Sequence, residues 1–173
     1  MDTEMMVAEL DARKQIHDAL QLLSRGIDRN DRDAILSAFH PGAFDDHGEY
    51  KGSCEGFADY VDMLHRERYV STTHFLGNEL VVMDGDKATS ETYVLAVLRF
   101  EAEGVLHDFS GHGRYLDQWE RRHETWRITK RIVAFDSDRI DRVDRRAEGS
   151  LTEMLTKGQP STSDPSYQLL NWA

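Results

Sequence analysis

Hydrophobic residues in the first part of the chain recur with helical spacing. They predict a helix that starts near Thr3 and has Gly26 close to its end. The apolar stripe of this helix, with steps of four, three and four positions, consists of Ile16, Leu20, Leu23 and Ile27. A shorter helix is predicted from about Asp31, and it must stop before Pro41, which cannot continue it. The inward-facing residues of the second helix are Ala34, Ile35 and Ala38.

A third helix is predicted after Ser53, whose hydroxyl can cap its first turn. Its shared face consists of Phe57, Tyr60, Val61 and Leu64. After Tyr69 the pattern changes to β-branched and aromatic runs that are separated by turn residues. These runs predict long strands over residues 70–83, 87–101, 106–120 and 125–136, and a further short strand is predicted over residues 43–50.

The second long strand is apolar on both faces. One face carries Val94 and Leu98, and the other carries Tyr93, Leu95 and Val97. Because neither face can be left in water, one should meet the helices and the other should meet another subunit or the rest of the sheet. Three helices followed by long strands predict an α+β fold, in which a curved antiparallel sheet wraps around the helices to form a cone-shaped pocket.

The length of 173 residues fits one domain, predicted over residues 1–147. Residues 148–173 are rich in Gly, Ser, Thr and Pro and are predicted to form a tail. The tail ends in four large apolar residues: Tyr167, Leu169, Leu170 and Trp172. Such an end is expected to dock over the pocket mouth or on a neighbouring subunit.

Charge and composition narrow the range of partners. Asp and Glu number 32 against 21 Lys and Arg, and the formal net charge of -11 argues against a nucleic-acid partner. Basic residues between Arg139 and Arg146 alternate with Asp141 and Asp144, so a solvated segment is predicted there. No apolar run is long enough to span a membrane, and no signal peptide is expected. Cys54 is the only cysteine, so a cytoplasmic protein is predicted.

Sequence motifs for bound groups are weak. His107, Asp108 and His112 match no established metal-ligand spacing, so neither a metal nor a cofactor is expected. No glycine-rich phosphate loop and no serine elbow is present, and Cys54 lies in a glycine-flanked loop. Gly111-His112-Gly113 falls within a strand, where the glycines permit a bend or the close approach of a ligand.

Two segments carry a resemblance to a known family. They are Gly-Ile-Asp-Arg-Asn-Asp at residues 26–31 and Thr-Thr-His-Phe-Leu-Gly-Asn at residues 72–78. Together with the order of elements and the hairpin from Trp119 to Arg131, they resemble the SnoaL-like branch of the nuclear-transport-factor-two-like superfamily. The similarity covers roughly residues 16–139. It implies a cofactor-independent enzyme, because the branch includes dehydratases, dehydrochlorinases, polyketide cyclases and a formaldehyde-releasing lyase.

The resemblance implies a catalytic pair of Asp28 and His74. A carboxylate that accepts the proton of one ring nitrogen fixes the imidazole tautomer, and the other nitrogen is then free to remove a substrate proton. The alternative is that Asp28 caps the following turn while His74 fills the core. The resemblance also places Arg131 near a leaving group, where a guanidinium suits a departing anion. The alternative for Arg131 is an exposed cation paired with a carboxylate.

Further substrate-binding positions follow from the same resemblance. His47 stands where a family dehydratase has a carbonyl-polarising tyrosine, although a surface histidine beside two aspartates is the alternative. Leu98 and Ile27 replace a second histidine and a tyrosine of that dehydratase, so the same substrate is not expected. Tyr60 and Tyr115 are candidate pocket residues, and ordinary core packing is the alternative for Tyr60.

The function predicted on this basis is a lyase that acts on an apolar cyclic or aryl substrate. Elimination of water and formaldehyde-releasing cleavage of a carbon–carbon bond are its two forms. A ketosteroid-type isomerase or a polyketide cyclase is one alternative, and a non-catalytic binding or oligomerisation module is another, because a fold alone does not separate them. The resemblance implies a homo-oligomer, either a dimer or a trimer.

Overall fold

The computed structural model describes residues 2–144 and 151–170. Three helices occupy the predicted places: α1 (Thr3–Asp28), α2 (Arg32–Ser37) and α3 (Cys54–Glu67). Each begins after a residue whose side chain accepts a hydrogen bond from a backbone N–H of the first turn, and these caps are Asp2, Asp31 and Ser53. A short helix, α4 (Ser166–Leu169), lies near the carboxyl end. The helix predictions are confirmed.

The four long strands are confirmed as well. They are β3 (Tyr69–Asp84), β4 (Lys87–Ala102), β5 (Val105–Arg122) and β6 (Thr125–Arg142). Two shorter strands precede them, β1 (Phe39–Asp46) and β2 (Lys51–Ser53). The predicted short strand over residues 43–50 was placed too late, because β1 starts before Pro41 and residues 47–50 form the turn into β2. The end of β6 includes part of the predicted solvated segment, whose residues 145 and 146 lie outside the described residues.

The six strands form one open sheet in the order β2-β1-β6-β5-β4-β3. Neighbouring strands are antiparallel except β1 and β6, which are parallel. The sheet is therefore mixed, whereas a wholly antiparallel sheet was predicted. The difference arises because β6, the last strand of the meander, returns beside β1 in the same direction. Strand periodicity does not reveal which distant strand becomes a neighbour.

Helices α1 and α3 pack on the inner face of the sheet around one hydrophobic core. The core joins the stripe of α1 and the inward residues of α3 to large side chains of the strands, among them Trp119, Trp126 and Ile128. At Gly113 the pairing of β5 with β6 shifts register, and a Cβ atom there would lie 2.5 Å from the carbonyl oxygen of Ala134. The glycine therefore permits the bend that was predicted for this strand.

The outer face of the sheet remains apolar and exposed in the single chain. Val94 of β4 points inward and is buried, whereas its neighbour Tyr93 is 47% exposed. Other large exposed side chains on this face are Phe75, Leu80, Val82 and Ile132. The prediction of two apolar faces on β4 is thus confirmed. Within residues 2–144 and 151–170, no helix combines the length and hydrophobicity that crossing a bilayer requires.

Candidate active site

A cavity of about 320 Å³ opens between the end of α1, helix α3 and the concave face of the sheet. Its apolar lining residues are Ile27, Phe57, Val61, Leu64, Leu98 and Phe109. Its polar and charged lining residues are His47, Glu49, Tyr60, His65, Arg68, Tyr69, Thr72 and His74. A depression of equal volume on the outer sheet face has no histidine among its lining residues. Of these two hollows, the inner cavity is therefore the one in which histidine side chains meet apolar surface.

Asp28 and His74 are in direct contact at this cavity. Asp28 is the last residue of α1, and His74 lies in β3, the strand at one edge of the sheet. The ring Nδ1 of His74 is 2.7 Å from Oδ1 of Asp28, and the side chains are 10% and 11% exposed. The backbone N–H of His74 donates to Oδ2 of Asp28 at 2.9 Å, and the hydroxyl of Thr72 donates to Oδ1 at 3.1 Å. The carboxylate thus fixes both the backbone and the ring of the histidine.

The charge state of Asp28 follows from these contacts. Burial opposes ionisation of its carboxyl group. The hydrogen bond and charge of the His74 ring, the backbone N–H of His74 and the hydroxyl of Thr72 outweigh burial, so the pKa of Asp28 is lowered from its ordinary value of 3.8. A permanent carboxylate at Nδ1 orients the imidazole with Nε2 free to act on a ligand. An imidazole held in this way is chemically able to accept a proton at Nε2.

His47 lines the same cavity but follows β1, which is separated from the edge strand β3 by three other strands. It follows β1 directly, and its Nδ1 is 2.5 Å from Oδ1 of Asp45, which has no exposed surface. The imidazole stacks on the ring of Phe57 with 4.3 Å between ring centroids. Its own side chain is 18% exposed, so it is a cavity residue and not the surface histidine of the alternative interpretation.

Tyr60 and Leu98 also line the cavity. The hydroxyl of Tyr60 donates to Oε2 of Glu49 at 2.8 Å, and Arg68 donates to the same oxygen at 2.9 Å. Burial, followed by the hydrogen bond and charge of Glu49, raises the pKa of Tyr60 to about 12. Tyr60 is therefore a neutral phenol whose proton is directed to Glu49. Leu98 is paired with Thr72 across β3 and β4 and contributes apolar surface close to the catalytic candidates.

Tyr115 and Arg131 lie behind the cavity wall. Tyr115 is 2% exposed, and its ring centroid is 5.9 Å from that of His47. The guanidinium carbon of Arg131 lies 4.0 Å from the Tyr115 ring centroid, and two of its nitrogens donate to the two carboxylate oxygens of Asp117, each at 2.7 Å. Arg131 has no exposed surface. In this conformation a ligand in the cavity does not reach the guanidinium, so the predicted contact of Arg131 with a leaving group stays a prediction.

Asp45, Thr72 and His65 line or support the site and were not among the predicted site residues. Asp45 and Thr72 each lie two positions before a predicted histidine, which is the period that places strand residues on one face. His65 lies four positions after Val61 on α3, so helical spacing was an available signal. Its Nε2 donates to the carbonyl oxygen of Ile27 at 2.7 Å, which secures the last turn of α1 next to Asp28.

The described part of the carboxyl-terminal tail docks behind the site, at the junction of α1 and α2. The hydroxyl of Tyr167 donates to Asp31 at 2.6 Å, and the guanidinium of Arg25 lies 3.9 Å from the Tyr167 ring centroid. Residues 169–170 are exposed, and Trp172 lies outside the described residues. None of the cavity-lining residues comes from residues 151–170. In residues 2–144 and 151–170, no group of three or more His, Cys, Asp or Glu could hold a metal ion.

Comparison with known proteins agrees with this architecture. A SnoaL-like domain model matches residues 8–132. A proposed scytalone dehydratase of Novosphingobium aromaticivorans has a TM-score of 0.68 and 16% identity, covering 82% of this chain and 94% of its own. A hexachlorocyclohexane dehydrochlorinase of Novosphingobium barchaimii has a TM-score of 0.69 and 19% identity, with coverages of 78% and 92%.

A cystatin-like protein of unknown function from Nostoc punctiforme is similar too, with a TM-score of 0.60 and 16% identity over 72% of this chain and 90% of its own. None of the curated proteins matches the sequence. At these identities the solved structures show a shared fold, which has the α+β architecture that the sequence predicted and is called cystatin-like in the Nostoc protein. The family model covers most of the chain. The chain therefore belongs to the SnoaL-like domain family.

Proposed function

We propose that the protein is a cofactor-independent lyase in which His74 is the general base and Asp28 orients it. The observation that carries this proposal is the 2.7 Å contact between Asp28 and Nδ1 of His74 at the wall of the cavity. With Nδ1 taken up by the carboxylate, Nε2 removes a proton from a bound substrate and Asp28 stabilises the resulting imidazolium. A positioned base of this kind contributes about 10² to 10⁴ in rate.

The substrate class follows from the lining of the cavity. Phe57, Leu98 and Phe109 offer apolar and aromatic surface, which suits an apolar cyclic or aryl compound. A volume of about 320 Å³ is at the lower end of the usual range for ligand pockets and favours compact ring compounds. The similarity in fold to a proposed dehydratase and to a dehydrochlorinase supports a reaction that begins with proton removal.

Loss of water is the form of the reaction to test first. Formaldehyde-releasing carbon–carbon cleavage uses the same base on a hydroxyl group, and an isomerase or a cyclase uses it on a carbon adjacent to a carbonyl. The product distinguishes these reactions. A non-catalytic binding module is disfavoured because a cavity with a buried, oriented histidine is present where such a module needs only apolar surface.

We also propose that the exposed outer face of the sheet forms a contact between copies of the chain. Phe75 and Leu80 are each more than 60% exposed there, and soluble monomers rarely expose a large contiguous apolar patch. A dimer or a trimer covers this face, and a mass measured in solution by light scattering checks it. A monomeric mass at micromolar concentration would contradict the proposal.

We further propose the bounds of the domain, the compartment of the protein and the class of its partner. The folded domain is limited to residues 1–147, with a tail over residues 148–173, although the boundary lies outside the described residues. The protein acts in the cytoplasm. Its partner is a small molecule and neither a nucleic acid nor a membrane, in keeping with the formal net charge of -11.

The decisive experiment is a screen of purified protein against hydroxylated aryl and steroid-like compounds, with the products identified by mass spectrometry. Wild-type protein is compared with His74→Gln and with His17→Gln, a matched control at an exposed histidine that pairs with Glu79. We expect His74→Gln to lose about 10²-fold or more of the turnover and His17→Gln to lose none. Equal turnover by wild type and His74→Gln would refute His74 as the base.

A further inference from the structure

A second carboxylate–histidine pair borders the same cavity as the first. Oδ1 of Asp45 is 2.5 Å from Nδ1 of His47, and Asp45 is fully buried. The ring of His47 is a lining residue of the cavity and stacks on Phe57. Because Asp45 takes up Nδ1, Nε2 is the nitrogen of His47 that a ligand can reach. The cavity therefore holds two imidazoles, each oriented by its own carboxylate.

The two pairs come from strands that are not neighbours in the sheet. His74 lies in β3 at one edge of the sheet, whereas His47 follows β1, which is separated from β3 by β6, β5 and β4. Leu98 of β4 and Phe109 of β5 line the cavity between the two histidines. The sheet curves so that both histidines line one cavity.

The charges behind the two pairs differ. Asp45 and Asp117 flank Arg131 on neighbouring strands, and all three side chains are buried. Two carboxylates beside one guanidinium leave an excess of negative charge in the interior, next to the ring of His47. An uncompensated buried carboxylate is costly, and the hydrogen bond from Nδ1 of His47 to Oδ1 of Asp45 satisfies this oxygen. Stacking on Phe57 holds the plane of the His47 ring at the cavity wall.

We propose that His47, positioned by Asp45, is the general acid of this site and that the substrate presents an oxygen atom to it. The proposal rests on the proposed function of His74. Nε2 of His74 takes a proton from substrate carbon, the C–H electron pair forms the new double bond, and the carbon–oxygen bond breaks. The proton on Nε2 of His47 goes to the leaving oxygen, which departs as water or an alcohol. His74 is then protonated and His47 neutral, and solvent exchanges the proton before the next cycle.

The substrate class is narrowed by this assignment. A halide leaves as a stable anion and needs no proton, whereas a hydroxyl or alkoxy group leaves poorly unless it is protonated. A proton donor in the same cavity as the base therefore indicates a substrate with an oxygen leaving group, or with a carbonyl oxygen that receives the hydrogen bond during enolisation. Arg131 supports His47 through the buried charges and not by touching the substrate.

A binding experiment tests the acid without any turnover. The probe is para-nitrophenol, followed by the absorbance of its phenolate at a pH where the free phenol is mostly neutral. We expect the wild type to bind the probe as phenolate, and His47→Phe to bind at least about tenfold more weakly without the phenolate band. His17→Phe, the matched control, should behave as the wild type. A wild type that never shows the band, or a His47→Phe variant that keeps it, would overturn the proposal.

The positioning role of Asp45 has its own readout. Nitrogen NMR of the histidine rings in Asp45→Asn should show altered ring nitrogen signals for His47 and unchanged signals for His74, whereas Asp28→Asn should give the reverse. Circular dichroism checks that each isosteric variant is folded. If Asp45→Asn is unfolded, His47→Phe decides alone, since Phe keeps the stacking on Phe57. Unchanged His47 signals in a folded Asp45→Asn protein would remove Asp45 from the proposal.

Kinetics on a substrate found by the screen separate this proposal from the function of His74. His47→Phe should slow elimination of a hydroxyl group by about 10²-fold or more, and elimination of a halide from the same ring much less. If His74→Gln is inactive and His47→Phe is fully active on the hydroxyl substrate, the acid assignment fails while the base stands. If His74→Gln keeps its activity, the proposed function fails. The phenolate experiment then still tests whether His47 is a proton donor in the cavity.

Discussion

Two ion pairs of similar geometry differ in what they can do. In the first pair His74 is 2.7 Å from Asp28, and in the second Arg131 is 2.7 Å from each oxygen of Asp117. The first pair lies at a cavity with about a tenth of each side chain exposed, whereas the second has no exposed side-chain surface. An imidazole that a ligand can touch and that can exchange a proton suits chemistry, whereas a sealed and permanently protonated guanidinium suits structure.

The family resemblance predicts the types of the site residues but not which of their side chains face the cavity. The sequence motifs led to Asp28, His74 and Arg131 alike, because all three residues have the right chemical type at the right place in the order of elements. Whether a side chain faces the cavity or the interior depends on packing across several strands. The two pairs therefore make different predictions for stability and for catalysis.

The largest expected effect is on folding, from Arg131→Met. The substitution leaves Asp117 and Asp45 without their buried cation, and breaking a buried pair from one side costs about 3–5 kcal/mol. Urea denaturation measures the loss in the free energy of unfolding. Adding Asp117→Leu to the variant removes one unpaired carboxylate and should recover part of the loss. A loss below about 1 kcal/mol would show that the pair is not structural.

The next effect is on catalysis, from Asp28→Asn. An amide has the shape of the carboxylate but no charge, so it neither fixes the tautomer of His74 nor stabilises its imidazolium form. Turnover of the screened substrate should fall about 10²-fold or more, with a smaller loss of stability than in Arg131→Met. The control is Asp33→Asn, at an exposed position on α2. Comparable turnover in both variants would mean that Asp28 does not orient the base.

The elements of the fold were largely predictable from the sequence, because each depends on local patterns. The four-three-four spacing of the α1 stripe, the apolar positions after Asp31 and the cap at Ser53 gave the helices within a residue or two. The start of β1 was missed because Pro41 normally argues against a strand. Its parallel pairing with β6 joins segments far apart in the chain, and no local signal specifies such a pairing.

The site was predictable only in part. The contact between Asp28 and His74 was expected from the resemblance, although composition and periodicity alone do not bring the end of a helix to a strand more than forty residues later. Asp45 was noticed only as a neighbour of His47, and its burial became evident from the fold. The burial of Arg131 follows from β6 lying between β1 and β5, in the middle of the sheet, which the antiparallel prediction did not include.

A smaller effect is expected from Gly26→Ala, which acts on the support of Asp28. A Cβ atom at residue 26 would lie 2.9 Å from the backbone nitrogen of Ile35, so α1 and α2 would have to separate. Such overpacking costs about 1–3 kcal/mol, and it should also reduce turnover because Asp28 lies two residues later. Gly77→Ala is the matched control, since its Cβ would meet Tyr93 at an ordinary 3.5 Å. Equal unfolding free energies for the two variants would contradict the close approach of the helices.

The smallest expected effect is the contribution of Asp28 to the free energy of unfolding at acid pH. Since the pKa of Asp28 is lower in the folded protein than its ordinary value of 3.8, the unfolded chain binds more protons there than the folded protein does. The stabilisation by Asp28 is therefore complete above about pH 4 and is lost as the pH falls through the lower, folded pKa.

The measurement is the unfolding free energy of wild type and Asp28→Asn between about pH 6 and pH 2. The stability difference between the two proteins should be constant at the upper end and shrink toward the acid end, because the variant has no carboxyl group to titrate at this position. Asp33→Asn, which alters an exposed carboxylate, should show a flatter difference. A difference for Asp28→Asn that grows as the pH falls would mean that the folded protein holds the proton more tightly, and that the contacts of His74 and Thr72 do not stabilise the carboxylate.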